Sequence, residues 1–321
     1  MKSKPINWRL YKLELSIFAV FTIISGLFFF GNPQVFSRFD IYYSFMCTIP
    51  FTGILALSLT FIVVLGMMDL SFPSVLAFSA WIFGAVFNLT DNMLIAAVAC
   101  LLVGTAAGFL NSILVVRIGI PSLVATIGSM FFWRGAVNVV AQGQGISLVE
   151  TRGRFLYQLF VGRIGDILPA QAVWFLVLGV IFWLILKRHR YGAHLLYVGD
   201  NEQSAAMMGI NVRRVKTIAF MQVGFFAAFV GILSTLEVTY FWPSQGQGYL
   251  MTALAAVFIG GTSVFGGMGT IVGTFLGALI IGSLEAGIIA IGLSGFWIQF
   301  IYGLIIMVSV SLYSFIMGKA Q

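Results

Sequence analysis

Apolar runs of about 20 residues, each closed by a short polar or glycine-rich stretch, recur along the whole chain. Residues 13–30, 44–66, 73–90, 93–115, 122–140, 171–187, 217–236, 249–266, 270–291 and 297–316 read as membrane-spanning helices, about ten in number. The longest interval that could not sit comfortably in a bilayer is Lys187–Lys216. Lys187, Arg188, Arg190, Arg213, Arg214 and Lys216 bracket a weakly amphipathic middle, Asn201–Ile210. Basic residues beside spans are retained in the cytoplasm, so this interval is expected to be a cytoplasmic loop carrying a short helix.

That orientation puts the N-terminus inside, with Arg117 and Lys319 also cytoplasmic, and leaves Ala141–Ala170 outside. The external placement of Arg152, Arg154 and Arg163, only partly offset by Glu150 and Asp166, fits least well. The order of the runs also hints at internal duplication. Gly108-x-x-Asn111 recurs as Gly282-x-x-Glu285, 174 positions later. Gly119–Ser122 recurs near Gly292–Gly295, and the same shift lays Asp69–Ser74 over Pro243–Gly248. Five spans separate the matched pieces, and an odd number reverses direction. An inverted repeat follows, spans two to five against seven to ten.

Composition makes the bilayer the solvent. Hydrophobic residues are 60% of the chain and charged ones 8%, at a mean hydropathy of +1.05, too little charge to clothe a water-soluble surface. The net charge of +7 is explained by basic residues at span ends and is no sign of nucleic-acid binding. Lys2, Lys4, Arg9 and Lys12 precede a first run too long for a signal peptide, which is read as a retained span. Cys47 and Cys100 both lie in apolar runs, so no disulfide framework is expected.

Two stretches interrupt the apolar pattern. In Gly66–Ser74, the simpler expectation is a short cytoplasmic turn with Asp69 capping the next helix. The alternative is a broken helix beside a pathway, in which Asp69 satisfies freed backbone N–H groups. Gly260–Thr270 lacks the lysine of a nucleotide-binding loop and reads as a tight reversal, with Gly273-x-x-x-Gly277 as a close-packing face. Asp69, Ser71, Gly260, Gly261, Gly266 and Gly267 are the candidates for broken-helix or gating positions. Glu285 is the strongest ionisable group within a span; Arg134 and Glu237 lie near span ends, where snorkelling explains them. His189 and His194 have no metal-binding partners, no nucleophile stands beside a base, and no cofactor is implied. Trp133 and Trp242 belong to aromatic stretches that suit an interfacial belt or, by stacking, a sugar.

GDNEQSAAMMGINVRRVK resembles the cytoplasmic-loop pattern G-x-N-x-x-A-A-x-x-x-G-I-x-V of the ribose/xylose/arabinose-type ABC importer permeases. The run from Ala255 to Thr274 is similar to their A-A-V-x-x-G-G-T-S-x-x-G-G-x-G-T-x-x-G-T segment, the most specific of the matches. GMMDLSFPS is similar to their G-G-I-D-L-S-V-G-S, with Met67 and Pro73 replacing glycine, and PSLVATIG to their fifth span. Gly248–Ala256 departs from G-Y-E-L-D-A-I-A-A by losing both acids. The resemblance implies an all-α permease of about ten spans, one transmembrane domain over residues 1–321, working as a dimer. It also implies that loop 187–216 carries a coupling helix for a cytoplasmic ATPase, formed by Gly199, Asn201, Ala205, Ala206, Gly209 and Ile210.

The reading is therefore the membrane subunit of a bacterial importer in the cytoplasmic membrane, both termini inside. Its expected partners are a cytoplasmic ATP-binding subunit, an external solute-binding protein, a second permease subunit of the same or different sequence, and membrane lipid. Its solute is expected to be a monosaccharide or related polyol. Asn111, Thr126, Gln222 and Gln299 are candidates to line its pathway or to serve as interhelical glue. A proton- or sodium-coupled secondary transporter and a membrane-embedded enzyme are the competing classes.

Overall fold

The structure, a computed structural model, describes residues 12–304 apart from 166 and 291, together with residue 307. Its helices are α1 (Lys12–Gly31), α2 (Pro33–Phe36), α3 (Phe39–Val64), α4 (Phe72–Thr90), α5 (Met93–Ser112), α6 (Ser122–Ala141) and α7 (Phe155–Val161). They continue with α8 (Ala170–Arg188), α9 (Arg190–Asp200), α10 (Glu202–Met207), α11 (Val212–Val238), α12 (Tyr249–Ile259) and α13 (Ile271–Ala290). Residues 113–118 prolong α5 as a π-helical turn. Among the described residues, eight helices are long and apolar enough to cross a membrane. The expected span 249–266 is not one of them: α12 stops at Ile259, because Gly261 takes the left-handed conformation (φ +76°) that closes a helix. Of the expected span 297–316, only residues 297–304 and 307 are described, and they are helical.

The bundle is built around α3, buried without interruption from Ile49 to Val64, and α11, buried from Ala227 to Leu236. Their packing is reciprocal: α3 lies against α12 and α13, while α11 lies against α4 and α5. Small residues allow the close approach. A methyl added at Gly108 would lie 2.2 Å from the Phe220 carbonyl oxygen of α11. One added at Gly282, its match in the repeat, would lie 2.4 Å from the Ile49 side chain of α3. An exchange of halves generates this pattern.

The two poles differ in chemistry. At one, α6 and α11 end beside two short antiparallel ladders, β1 (Ile146–Ser147) with β4 (Tyr240–Phe241), and β2 (Arg163–Ile164) with β3 (Leu168–Pro169). Here the three arginines that fitted poorly are each engaged. Arg163 pairs with Glu237 (2.6 Å), Arg154 pairs with Asp91, and Arg152 donates to Thr239 Oγ1 (3.3 Å). Glu237 also accepts from Gln171 (2.9 Å), so it is bonded within the protein rather than snorkelling to water.

At the opposite pole, α3 ends against α9 and the loop after α12. The Gly267 N–H donates to the Val64 carbonyl (2.9 Å), and a Cβ at Gly199 would sit 1.8 Å from the same oxygen. Tyr191 of α9 stacks on Phe61, and burial pushes its phenol above the ordinary range. The basic interval is thus more ordered than its charge pattern announced. It holds the half-buried helix α9, with Leu195 and Val198 inward, before the expected short helix α10.

Candidate functional site

The interruption at Gly66–Ser74 meets a second one, Pro243–Gly248, the piece that the sequence match lays over Asp69–Ser74. The first begins where α3 closes with Gly66 in the left-handed region (φ +70°), the Gly66 and Met67 N–H groups bonding back to Val63 and Ile62. The chain then runs without regular structure to the start of α4. Ser122 Oγ accepts from the Met68 N–H (3.2 Å), and Thr126 Oγ1 reaches the Met68 carbonyl (3.4 Å). Asp69 is buried, so it does not cap α4 into water; Ser71 occupies the cap position. Asp69 Oδ1 accepts from the Ser71 N–H (2.8 Å) and Oγ (2.6 Å), and Asn111 Nδ2 donates to Asp69 Oδ2 (3.2 Å) and Ser71 Oγ (2.7 Å). The Asp69 side chain thus satisfies a backbone N–H that no helix pairs.

The second interruption, Pro243–Gly248, enters from the other pole after β4 and is pinned to α11. Gln245 Nε2 donates to Ser234 Oγ (2.6 Å) and Thr235 Oγ1 (2.8 Å). Gly246, at φ +84°, is packed so closely on α4 that a Cβ would lie 2.4 Å from the Pro73 carbonyl oxygen. Arg134 of α6 joins the two pieces. Its Nη1 donates to the carbonyls of Pro243 (2.8 Å) and Gln245 (3.1 Å), and its Nη2 to that of Pro73 (3.3 Å). Snorkelling therefore does not explain Arg134. Its partners lie 61 to 111 positions away in the chain, so no local signal could have named them.

Beside this seam, a groove of about 460 Å³ opens between the end of α5, its π-helical turn and α6. Asn111, Ser129, Phe132 and Trp133 are among its walls. π-Helical turns recur at functional sites because they widen a helix locally. Of the four pathway candidates, Asn111 and Thr126 are buried and bonded to the first interruption. Among the described residues, Asn111 Oδ1 and Gln222 Nε2 are buried with no hydrogen-bond partner. Gln299 is exposed, away from the others. Glu285 is exposed on α13, not turned into the bundle as expected.

The glycine-rich stretch Gly260–Thr270 behaves as a tight reversal. Gly266 (φ +87°) and Gly267 (φ +75°) are left-handed, and Gly273 and Gly277 pack on Gly260 and Ala256. Among the described residues, no three His, Cys, Asp or Glu side chains gather where a metal could be held.

The loop motif resolves into a fully capped two-turn helix. Asn201 Oδ1 accepts from the Ser204 N–H (2.8 Å) at one end. At the other, Gly209 (φ +80°) and Ile210 donate to the carbonyls of Ala206 (3.0 Å) and Ala205 (3.1 Å). The pattern's spacing places its two alanines at Ser204 and Ala205, one position earlier than the expected Ala205 and Ala206. Gly199 and Ala205 are packing residues rather than presented ones. Exposed instead are Ala206, Met207 (82%) and Met208 (60%), and the two methionines carried no motif.

Comparison with known proteins places these features. Residues 41–310 match the family described as branched-chain amino acid transport system / permease component. The chain is 30% identical to the ribose import permease protein RbsC of Escherichia coli (strain K12) over 304 residues, 93% of this chain and 92% of that one. It is 31% identical to the RbsC of Bacillus subtilis (strain 168) over 299 residues, 93% and 90% of the two chains. The autoinducer 2 import system permease protein LsrD of Yersinia enterocolitica is 31% identical over 293 residues, 89% and 86%. No solved structure matches the chain.

Proposed function

The chain belongs to the branched-chain amino acid transport system / permease component family, and on that premise we propose that it admits a monosaccharide or related polyol as the membrane subunit of a binding-protein-dependent ABC importer. It is a multi-pass membrane permease and not an enzyme. The solute reading is carried by likeness to ribose permeases over more than nine-tenths of this chain. The groove walls are mainly apolar, with no carboxylate among them and only Asn111, Ser129 and the Trp133 indole as polar groups. Asn111, Thr126 and Gln222 then line or brace the pathway, and Gln299 would join it from another face. Asp69, Ser71, Gly260, Gly261, Gly266 and Gly267 hold the interruptions in shape, as gating elements do in broken-helix transporters.

The membrane is a bacterial cytoplasmic one, with both termini and loop 187–216 inside and the ladder-bearing pole outside. A second permease subunit covers α6, whose Phe131 and Phe132 are exposed. The energy comes from a cytoplasmic ATPase docked on α10, with Asn201, Ala206, Gly209 and Ile210 shaping the contact. An external binding protein delivers the solute.

The test is co-purification in mild detergent, asking whether an ATPase accompanies the chain. Gly209→Trp strains a left-handed position and breaks the cap, yet nothing lies within 4 Å of Gly209 to disturb insertion. The variant is expected to reach the membrane normally and lose at least about tenfold of the ATPase recovered, a change of about 1.4 kcal/mol in association. Uptake driven by a proton or sodium gradient in liposomes holding this chain alone would refute the reading.

A further inference from the structure

Arg134 stands seven residues before the end of α6, about 10 Å in, and its guanidinium turns to protein carbonyls rather than outward. A cation at that depth needs compensation, and backbone carbonyls can supply it. Among the described residues no ion pair includes Arg134, and its three acceptors are all carbonyls. Those of Pro243 and Gln245 receive no backbone N–H among the described residues. The guanidinium therefore satisfies main-chain groups that the second interruption leaves bare, and with its other arm grips the Pro73 carbonyl of the first. A planar fork can do this; an ammonium, a point charge on a flexible stem, cannot span the same three oxygens.

We propose that Arg134 is a positioning residue of transport, setting the register in which the two half-membrane interruptions face one another. The proposal rests on the transport reading for its consequence, but the clamp itself is separately measurable. Ser74, in the first turn of α4 beside Pro73, is 2% exposed. With Cys47 and Cys100 replaced by alanine, Ser74→Cys provides a thiol that N-ethylmaleimide reaches only when the seam loosens.

Adding Arg134→Gln is expected to raise the labelling rate at least about tenfold, the same ratio as a population shift of 1.4 kcal/mol. Gly246→Ala leaves the charge intact but drives a methyl against the Pro73 carbonyl, and is expected to raise labelling similarly. In proteoliposomes assembled with the ATPase and binding protein and given D-ribose, Arg134→Gln is expected to lower kcat more than about tenfold with KM changed less than about threefold. Arg134→Lys, which restores the charge without the fork, should recover less than about a third of the lost rate. An unchanged labelling rate in Arg134→Gln overturns the clamp, and raised labelling with unchanged kcat overturns its role in transport. Full recovery by Arg134→Lys reduces the role to charge and overturns the proposal as well. Failure of the parent protein to take up D-ribose would count against the solute reading, while labelling still decides the clamp.

Discussion

Asp69 accepts three hydrogen bonds while only 2% of it is exposed, so its removal strands donors with no water to replace it. Asp69→Ala is expected to destabilise the protein by about 2–4 kcal/mol, read as a lowered Tm in detergent, and Asp69→Asn by less. The motif around Asp69 was visible in sequence; its environment was not. A carboxylate before a helix looks the same whether it caps into water or closes a buried network. The difference is made by Asn111, 42 positions away. Arg134 was hidden for the same reason, since it sits in an aromatic stretch that would suit any membrane interface. Met207 and Met208 escaped notice because exposure, not residue type, sets them apart.

Helices were easier to read than the contacts between them. Hydropathy finds α3 and α11 at once, since both are apolar over most of their length. It fails at α12, because Gly260 and Gly261 dilute the pattern too little to mark a stop. Glycine also marks the α5–α11 seam, where its role was legible only as a matched pair, Gly108 with Gly282. Gly108→Leu should separate these helices, since even the first added carbon meets the Phe220 carbonyl at 2.2 Å. A loss of about 3 kcal/mol or more is expected from overpacking there, seen as reduced yield of folded protein in detergent. Gly128→Ala, with nothing within 4 Å, should instead be neutral or raise stability by up to about 1 kcal/mol in the same assay.

Across the whole molecule, the proposed orientation rests on charge, and the three arginines it puts outside looked like exceptions until their partners were located. Two are balanced by Glu237 and Asp91, and the third is tied to Thr239, so they say little about which face retains positive charge. Single thiols test the result: Ser204→Cys should react with an impermeant reagent only in inside-out vesicles, and Glu150→Cys only in right-side-out ones. Opposite sidedness at either position would reject the topology. The junction of α9 with the end of α3 bears on how force could travel. Because Gly199 is jammed against the Val64 carbonyl while Gly267 bonds to it, the α9–α10 hairpin has no play at its root. A tug on its tip would move the bundle's central rod and the neighbouring glycine reversal in one stroke. A few flexible residues spliced in after Asp200 would act as a slipping clutch, letting the motor burn fuel while the cargo stays put.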